Sequence, residues 1–224
     1  MPLQTFYNLN EDRKKRILDV SFKEFALHTY KVASVSNIVK ELNIAKGSFY
    51  RYFKNKLDLY TYLIEVSYEL RMKQLDKLVI NESLTFFDIL RENFRDKIKF
   101  DIEHPVKSSF MYNVMLEWNT KELEHIVNSV KKRAIKLTEN MIIQYQQVGK
   151  LNPDVNPEIG AHFIMQVQLG IYDYLAVFKG VNFKENIRKN QHVFNINEEE
   201  LIKIAKHFAD IIKTGLENKK KKYD

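Results

Sequence analysis

The chain contains no cysteine, which removes disulfide staples and thiolate metal sites from consideration. Glycine and proline are scarce, at 6 and 4 residues, too few for the dense turns of a many-stranded β fold. No apolar run approaches the roughly 18 residues needed to span a bilayer, and Met1 to Asn10 lack the basic-then-apolar pattern of an export signal. A soluble, cytoplasmic protein with no membrane partner is therefore expected. Glycine-rich phosphate loops are missing too. The six histidines, His28, His104, His125, His162, His192 and His207, form no short metal-binding spacing. These absences argue against an enzyme: no catalytic residue, no metal and no cofactor is expected.

What the 224 residues do contain is apolar side chains recurring at steps of three and four, the period of amphipathic helices. The expected fold class is all-α. Charge is distributed unevenly. Residues 1–56 hold eleven basic and five acidic side chains, a net +6, whereas the rest of the chain is +1. A basic head on a nearly neutral body points to a polyanionic partner for the head.

A first helix is predicted from about Asn10 to His28, with Asn10 as N-cap and Glu11 and Asp12 in the first turn. A second starts after Ser34, and a third runs from Lys46 to Phe53 with Phe49 and Phe53 on its buried side. Longer helices follow over about 55–79, 83–103, 107–118, 121–148, 158–178 and 197–217. His104-Pro105 and Gly149 mark breaks between them. The polar stretch 180–196 is longer than an ordinary helix connection and reads as mobile or functional. These elements divide into a head over 1–54, a body over 55–218 and a basic tail over 219–224.

A helix-turn-helix needs a small or apolar residue in its first helix, a residue tolerant of left-handed backbone at the turn, and an apolar lock in the second helix. Val39, Asn43 and Phe49 meet these needs, and Asn is the non-glycine residue best suited to positive φ. The segment from Tyr30 to Leu59, YKVASVSNIVKELNIAKGSFYRYFKNKLDL, resembles the signature of TetR-family transcriptional regulators. The similarity is strongest over Lys46 to Phe53 and at Lys56, and it covers roughly residues 13–60. The chain departs from that pattern at Thr29, Ala33, Val39, Asn43, Ala45 and Leu57. Ala45 stands where the family has a capping Ser or Thr, a loss of about 1 kcal/mol for the helix it precedes.

The resemblance implies a three-helix reading head that binds double-stranded operator DNA. Lys46 and Arg51 are placed to meet base edges and Ser48 either a base or a phosphate, with Gly47 allowing close approach. Tyr50 and Tyr52 resemble the family's aromatic phosphate contacts, and Lys56 its phosphate-holding lysine. Ser34 is expected to cap the second helix near phosphate, and Ser36 to reach a base. The resemblance also implies a helical-bundle body that dimerises through its last two long helices and encloses an effector pocket. Phe110, Met111, Met115 and Trp118 form an adaptable apolar stripe for a small-molecule effector, with Phe94, Tyr145, Gln166 and Tyr172 as further candidates. The expected function is a DNA-binding transcriptional regulator, a homodimeric repressor released from a palindromic operator by a small, largely apolar ligand. The alternative is a protein of the same fold that acts in chromosome organisation or division through a protein partner, without a small ligand.

Overall fold

The computed structural model describes residues 1–75, 84–117 and 120–216, and among these residues it is helical with no strand. The first element was not anticipated. A single turn, α1 (Gln4–Tyr7), folds back over the head and buries Phe6 against Tyr52, Phe53 and Tyr62. The Leu3 N–H fixes this return by donating to the Tyr52 carbonyl at 2.8 Å.

Helix α2 (Glu11–Leu27) starts as expected, with the Asn10 side chain accepting from the Arg13 N–H and two acids in the first turn. Helix α3 (Val35–Leu42) is capped by Ser34, whose hydroxyl accepts from the Ser36 N–H. It ends at Asn43 with φ 54° and ψ 47°, the left-handed conformation the turn requires. Helix α4 (Lys46–Tyr50) is shorter than the expected span to Phe53. Its start at Ala45 has no side-chain cap, and residues 51–52 form a turn, so Phe53 enters the core from beyond the helix.

Helix α5 (Lys56–Leu75) leads out of the head. Helix α6 (Phe86–Glu103) opens with a reciprocal capping box between Thr85 and Asp88. Pro105 does not merely break the chain; it occupies the first position of α7 (Pro105–Leu116), where its missing N–H costs nothing. A 3₁₀ turn at Lys121–Leu123 precedes α8 (Glu124–Gln147), which stops before Gly149 at φ 69°. Helix α9 (Pro157–Lys179) runs from an Asn156 cap to Gly180 at φ 66°. After α10 (Phe183–Arg188), α11 (Glu198–Leu216) completes the described chain. No helix among the described residues is long and apolar enough to cross a membrane.

The stretch 180–196, read from its sequence as a polar connection that is mobile or functional, is an ordered part of the body. It contains α10 and buries Val181, Ile187, Val193 and Phe194 in the core of the body. Asn190 and Asn195 supply positive-φ corners at 53° and 50°, and the buried Asn186 side chain donates to the Val193 carbonyl at 3.0 Å. Short apolar pieces between Asn-rich corners carry no helical period, which is why the pattern looked polar. Residues 76–79 of the fourth predicted helix, Trp118 and the basic tail 219–224 lie outside the described residues.

Two apolar cores organise the packing. One joins Phe22, Phe25, Phe49 and Phe53 of the head to Phe110 and Val114 of α7 and Val127 and Val130 of α8. The other gathers α6, α9, α11 and the 181–194 segment around Phe94, Ile164, Leu175 and Ile212. At about 1.5–3 kcal/mol for each fully buried large apolar side chain, the first core both closes the head and fastens it to the body.

Candidate DNA interface and body cavity

With Ile38, Val39, Leu42 and Phe49 turned inward, the outer side of the helix-turn-helix carries polar and basic side chains. Ser36, Lys46, Gly47, Tyr50 and Arg51 are exposed, and Ser34 and Ser48 are half-buried. A Cβ added to Gly47 would meet no atom within 4 Å. The fold therefore makes no demand for glycine there, and any such demand arises from what approaches the helix from outside. Arg13 and Arg16 flank the same region, lining an open groove with Asn43 and Ile44.

Two of the sequence-predicted contacts sit differently from their neighbours. Tyr52 is buried, edge-on to Phe6. The Lys56 ammonium donates to the carbonyls of Tyr30 at 2.7 Å and Ala33 at 3.1 Å, and lies 4.3 Å from the centroid of the Tyr30 ring. It closes the loop before α3 onto the start of α5, leaving one of its three N–H donors for another acceptor.

Helix α7 binds the head through polar side chains as well as apolar ones. Asn113 donates from its amide to the carbonyls of Phe25 and Ala26, both at 3.0 Å, near the C-terminal end of α2. At the end of α7, the buried Glu117 carboxylate accepts the Tyr30 N–H at 2.7 Å and the Thr120 hydroxyl at 2.8 Å. The Tyr30 hydroxyl in turn donates to Glu122 at 2.8 Å.

The opposite side of α7 faces a cavity of about 220 Å³ enclosed by α5, α6, α7, α8 and α9. Met72, Leu75, Met111, Met115, Leu137, Met165 and Leu169 form its apolar wall. Its polar lining includes Ser67, Arg71, Asn93, Lys97, Ser108 and Tyr172. Arg71 pairs with Asp96, which also accepts from Gln74. Lys97, Ser108 and Tyr172 all donate to the buried Asp101. Burial holds the Lys97 ammonium below its ordinary pKa against the attraction of Asp101, and burial with the Asp101 charge pushes the Tyr172 phenol well up. Arg133 of α8 forks onto Glu65 of α5 at 3.0 and 2.8 Å and covers the Tyr68 ring on the cavity wall.

Of the expected ligand residues, Met111, Met115 and Tyr172 line this cavity. Phe110 instead packs on Phe22, Phe25 and Tyr60 in the core shared with the head. Phe94 is buried beside a much smaller void, Tyr145 donates to the Leu84 carbonyl at 2.8 Å, and Gln166 is exposed beside His162. Arg71, Lys97, Ser67 and Tyr112 were missed. The available signal was a polar residue on an apolar stripe: Lys97 and Asp101 follow Phe94, and Ser67 and Arg71 follow Leu63 and Ile64, at helical spacing.

A basic helix-turn-helix mounted on a helical body with an internal cavity defines a DNA-binding regulator. Residues 17–63 match the family model described as bacterial regulatory proteins, tetR family. The chain is 23% identical over 164 residues to the HTH-type transcriptional regulator YhgD of Bacillus subtilis, an alignment covering 73% of this chain and 84% of that one. Its fold matches a TetR family transcriptional regulator from Chloroflexus aurantiacus with a TM-score of 0.80 and 26% identity, over 98% of this chain and 100% of the other. It also matches the regulator FadR of Bacillus subtilis, solved with stearoyl-CoA, with a TM-score of 0.67 at 16% identity, over 90% and 98% of the two chains. Over residues 17–63 the chain carries the DNA-binding region of the TetR regulators, and it is a DNA-binding transcriptional regulator.

Proposed function

We propose that the protein is a homodimeric repressor that holds a palindromic operator through two heads and releases it when a small, largely apolar effector enters the body cavity. The observation that carries this reading is the double duty of α7. Met111 and Met115 line the cavity, while Asn113 of the same helix and Glu117 immediately after it bond to the backbone of the head. A ligand that favours one position of α7 thereby favours one position of α2, and DNA affinity follows as a population shift.

In this reading residues 1–54 bind DNA and 55–218 bind the effector and the second copy. Lys46, Ser48 and Arg51 read bases, helped by Ser36 and by the open space at Gly47. Tyr50, the Ser34-capped start of α3 and the spare donor of Lys56 meet phosphates. Tyr52 contributes by packing α1 against the turn after α4. Dimerisation through α9 and α11 is supported by the exposure of Ile159, Phe163, Val177, Phe178 and Ile211, which leave 69, 50, 64, 73 and 68% of their surfaces uncovered. Large apolar side chains left uncovered on these two helices are the kind of surface that an interface buries.

The reading is tested by selecting bound fragments from genomic DNA with the full-length protein and footprinting them. Inverted repeats at a few promoters, occupied by one dimer each, are expected. Palindromes dispersed along the chromosome would favour a role in its organisation instead, and absence of sequence preference would sink the repressor reading.

A further inference from the structure

The polar end of the cavity has a definite sign. Among the described residues, Arg71 and Lys97 line it and no acidic side chain does. The carboxylates that pair with them, Asp96 and Asp101, stand behind the cations, outside the lining. Both cations converge on one ring: the Arg71 guanidinium lies 5.5 Å and the Lys97 ammonium 6.0 Å from the centroid of Phe100. Their like charges oppose each other in a partly dehydrated site. Each keeps hydrogen-bonding capacity, because a guanidinium has five N–H donors and an ammonium three. One helical turn before Arg71, the Ser67 hydroxyl is buried, lines the same cavity and has no hydrogen-bond partner. An unpaired buried hydroxyl is an uncommon and unfavourable feature.

We propose that the ligand is a small organic acid whose carboxylate sits at the Arg71 and Lys97 end, within reach of Ser67, while its hydrocarbon part lies among Met72, Met111 and Met115. The proposal rests on the cavity being the effector site and adds the ligand's charge and size. A carboxylate supplies the acceptor oxygens that both cations and the hydroxyl can use, and it relieves the repulsion between the cations. At roughly 30 Å³ per water-sized group, 220 Å³ holds about seven such groups, close to a five- or six-carbon acid, and an eight-carbon chain enters as the methionines give way. The thioether side chains around it adapt to straight or ring-shaped bodies.

The test is calorimetric titration of the full-length protein with octanoate, octanamide, octylamine and octanoyl-coenzyme A, repeated on Lys97→Met and Arg71→Met. Octanoate is expected to bind at least about tenfold more tightly than octanamide, the margin of a charge-assisted hydrogen bond over a neutral one. It should also bind more tightly than octylamine and than the thioester, which has no carboxylate. Each substitution should lower octanoate affinity about tenfold or more and leave octanamide within about threefold, since only the charged pairing is removed. Equal binding of acid and amide, tighter binding of the amine or the thioester, or an acid preference that survives both substitutions would overturn the proposal. If a variant fails to fold, the acid-to-amide ratio of the unaltered protein decides alone. Selective DNA capture without acid preference would defeat this inference and leave the regulator reading standing; acid preference without DNA capture would do the reverse.

Discussion

The head and the body use the same kind of apolar helix for opposite ends. In the head, Phe22, Phe25, Phe49 and Phe53 belong to one closed core, none with more than 2% of its surface exposed. In the body, five helices of similar character leave about 220 Å³ unfilled and an unpaired serine on its wall. The close packing of the head fixes its geometry, as the proposed contacts of a few exposed side chains with DNA require. The body keeps space where methionines can rearrange, which in the proposed reading opens its conformation to bias by a small molecule.

The largest test of this contrast is truncation. Phe49→Ala should lower stability by about 3–5 kcal/mol and abolish DNA binding. Met111→Ala, which only enlarges existing space, should fall below the usual 2–5 kcal/mol for a buried methionine. Urea denaturation compares the two, and equal losses would mean that the cavity wall is as tightly packed as the head. Next in size is Lys56→Ala, which removes a charged donor from two carbonyls. It should lower stability by about 1.5–3 kcal/mol and weaken DNA binding uniformly, with a flatter salt dependence. Exposed Arg51→Ala should change stability by less than about 0.5 kcal/mol yet relax base preference by about 1–3 kcal/mol. Equal effects of the two substitutions on sequence preference would contradict their separate assignments.

Alkaline titration probes both regions at once. Burial raises the phenol pKa of Tyr60 in the head core, with Glu117 adding to it, and burial raises that of Tyr172 beside the cavity, with Asp101 adding to it. Below the ordinary value of 10.0 both folded and unfolded chains hold these protons and the full stability is present. Above it the unfolded chain releases protons that the folded chain retains, so stability falls with rising pH at about 1.4 kcal/mol per pH unit for each tyrosine. Thermal unfolding between about pH 9 and 11, the range bracketing the free phenol, should show this slope. Tyr60→Phe should reduce it without harm at neutral pH, because the Tyr60 hydroxyl has no hydrogen-bond partner to lose. Smallest is Ala45→Ser. A hydroxyl at the uncapped start of α4 should add about 0.5–1 kcal/mol and leave the body's ligand binding unchanged by calorimetry.

The readable parts of the chain were those set by neighbours in sequence. Asn10 and Ser34 cap the helices that follow them, Asn43 takes the left-handed corner, and Asn156 opens α9, all by contacts within three residues or by backbone preference. What escaped depends on distant partners. Phe6 is ordered by Tyr52 and Phe53, Phe110 is drawn to Phe22 across 88 positions, and Lys56 reaches back to carbonyls 23 and 26 residues earlier. The cavity was legible only as methionines and aromatics. Its cationic end arises where Arg71 of α5 and Lys97 of α6 meet at Phe100, a convergence that neither helix encodes alone.

The two amide bonds from Asn113 to the end of α2, with the Glu117 bond to Tyr30, bear on how such regulators can be recombined. A graft cut between residues 54 and 55 would carry away α2 but leave behind the helix that finishes its core, exposing Phe110 and Val114 on one side and Phe22 and Phe25 on the other. In the proposed reading a transferable head would thus be discontinuous, residues 1–54 taken together with α7 and with the start of α5, whose Leu59, Tyr60, Leu63 and Ile64 share the same core. A transplanted head would keep its specificity only in a host whose seventh helix presents an amide and a carboxylate at the same two places.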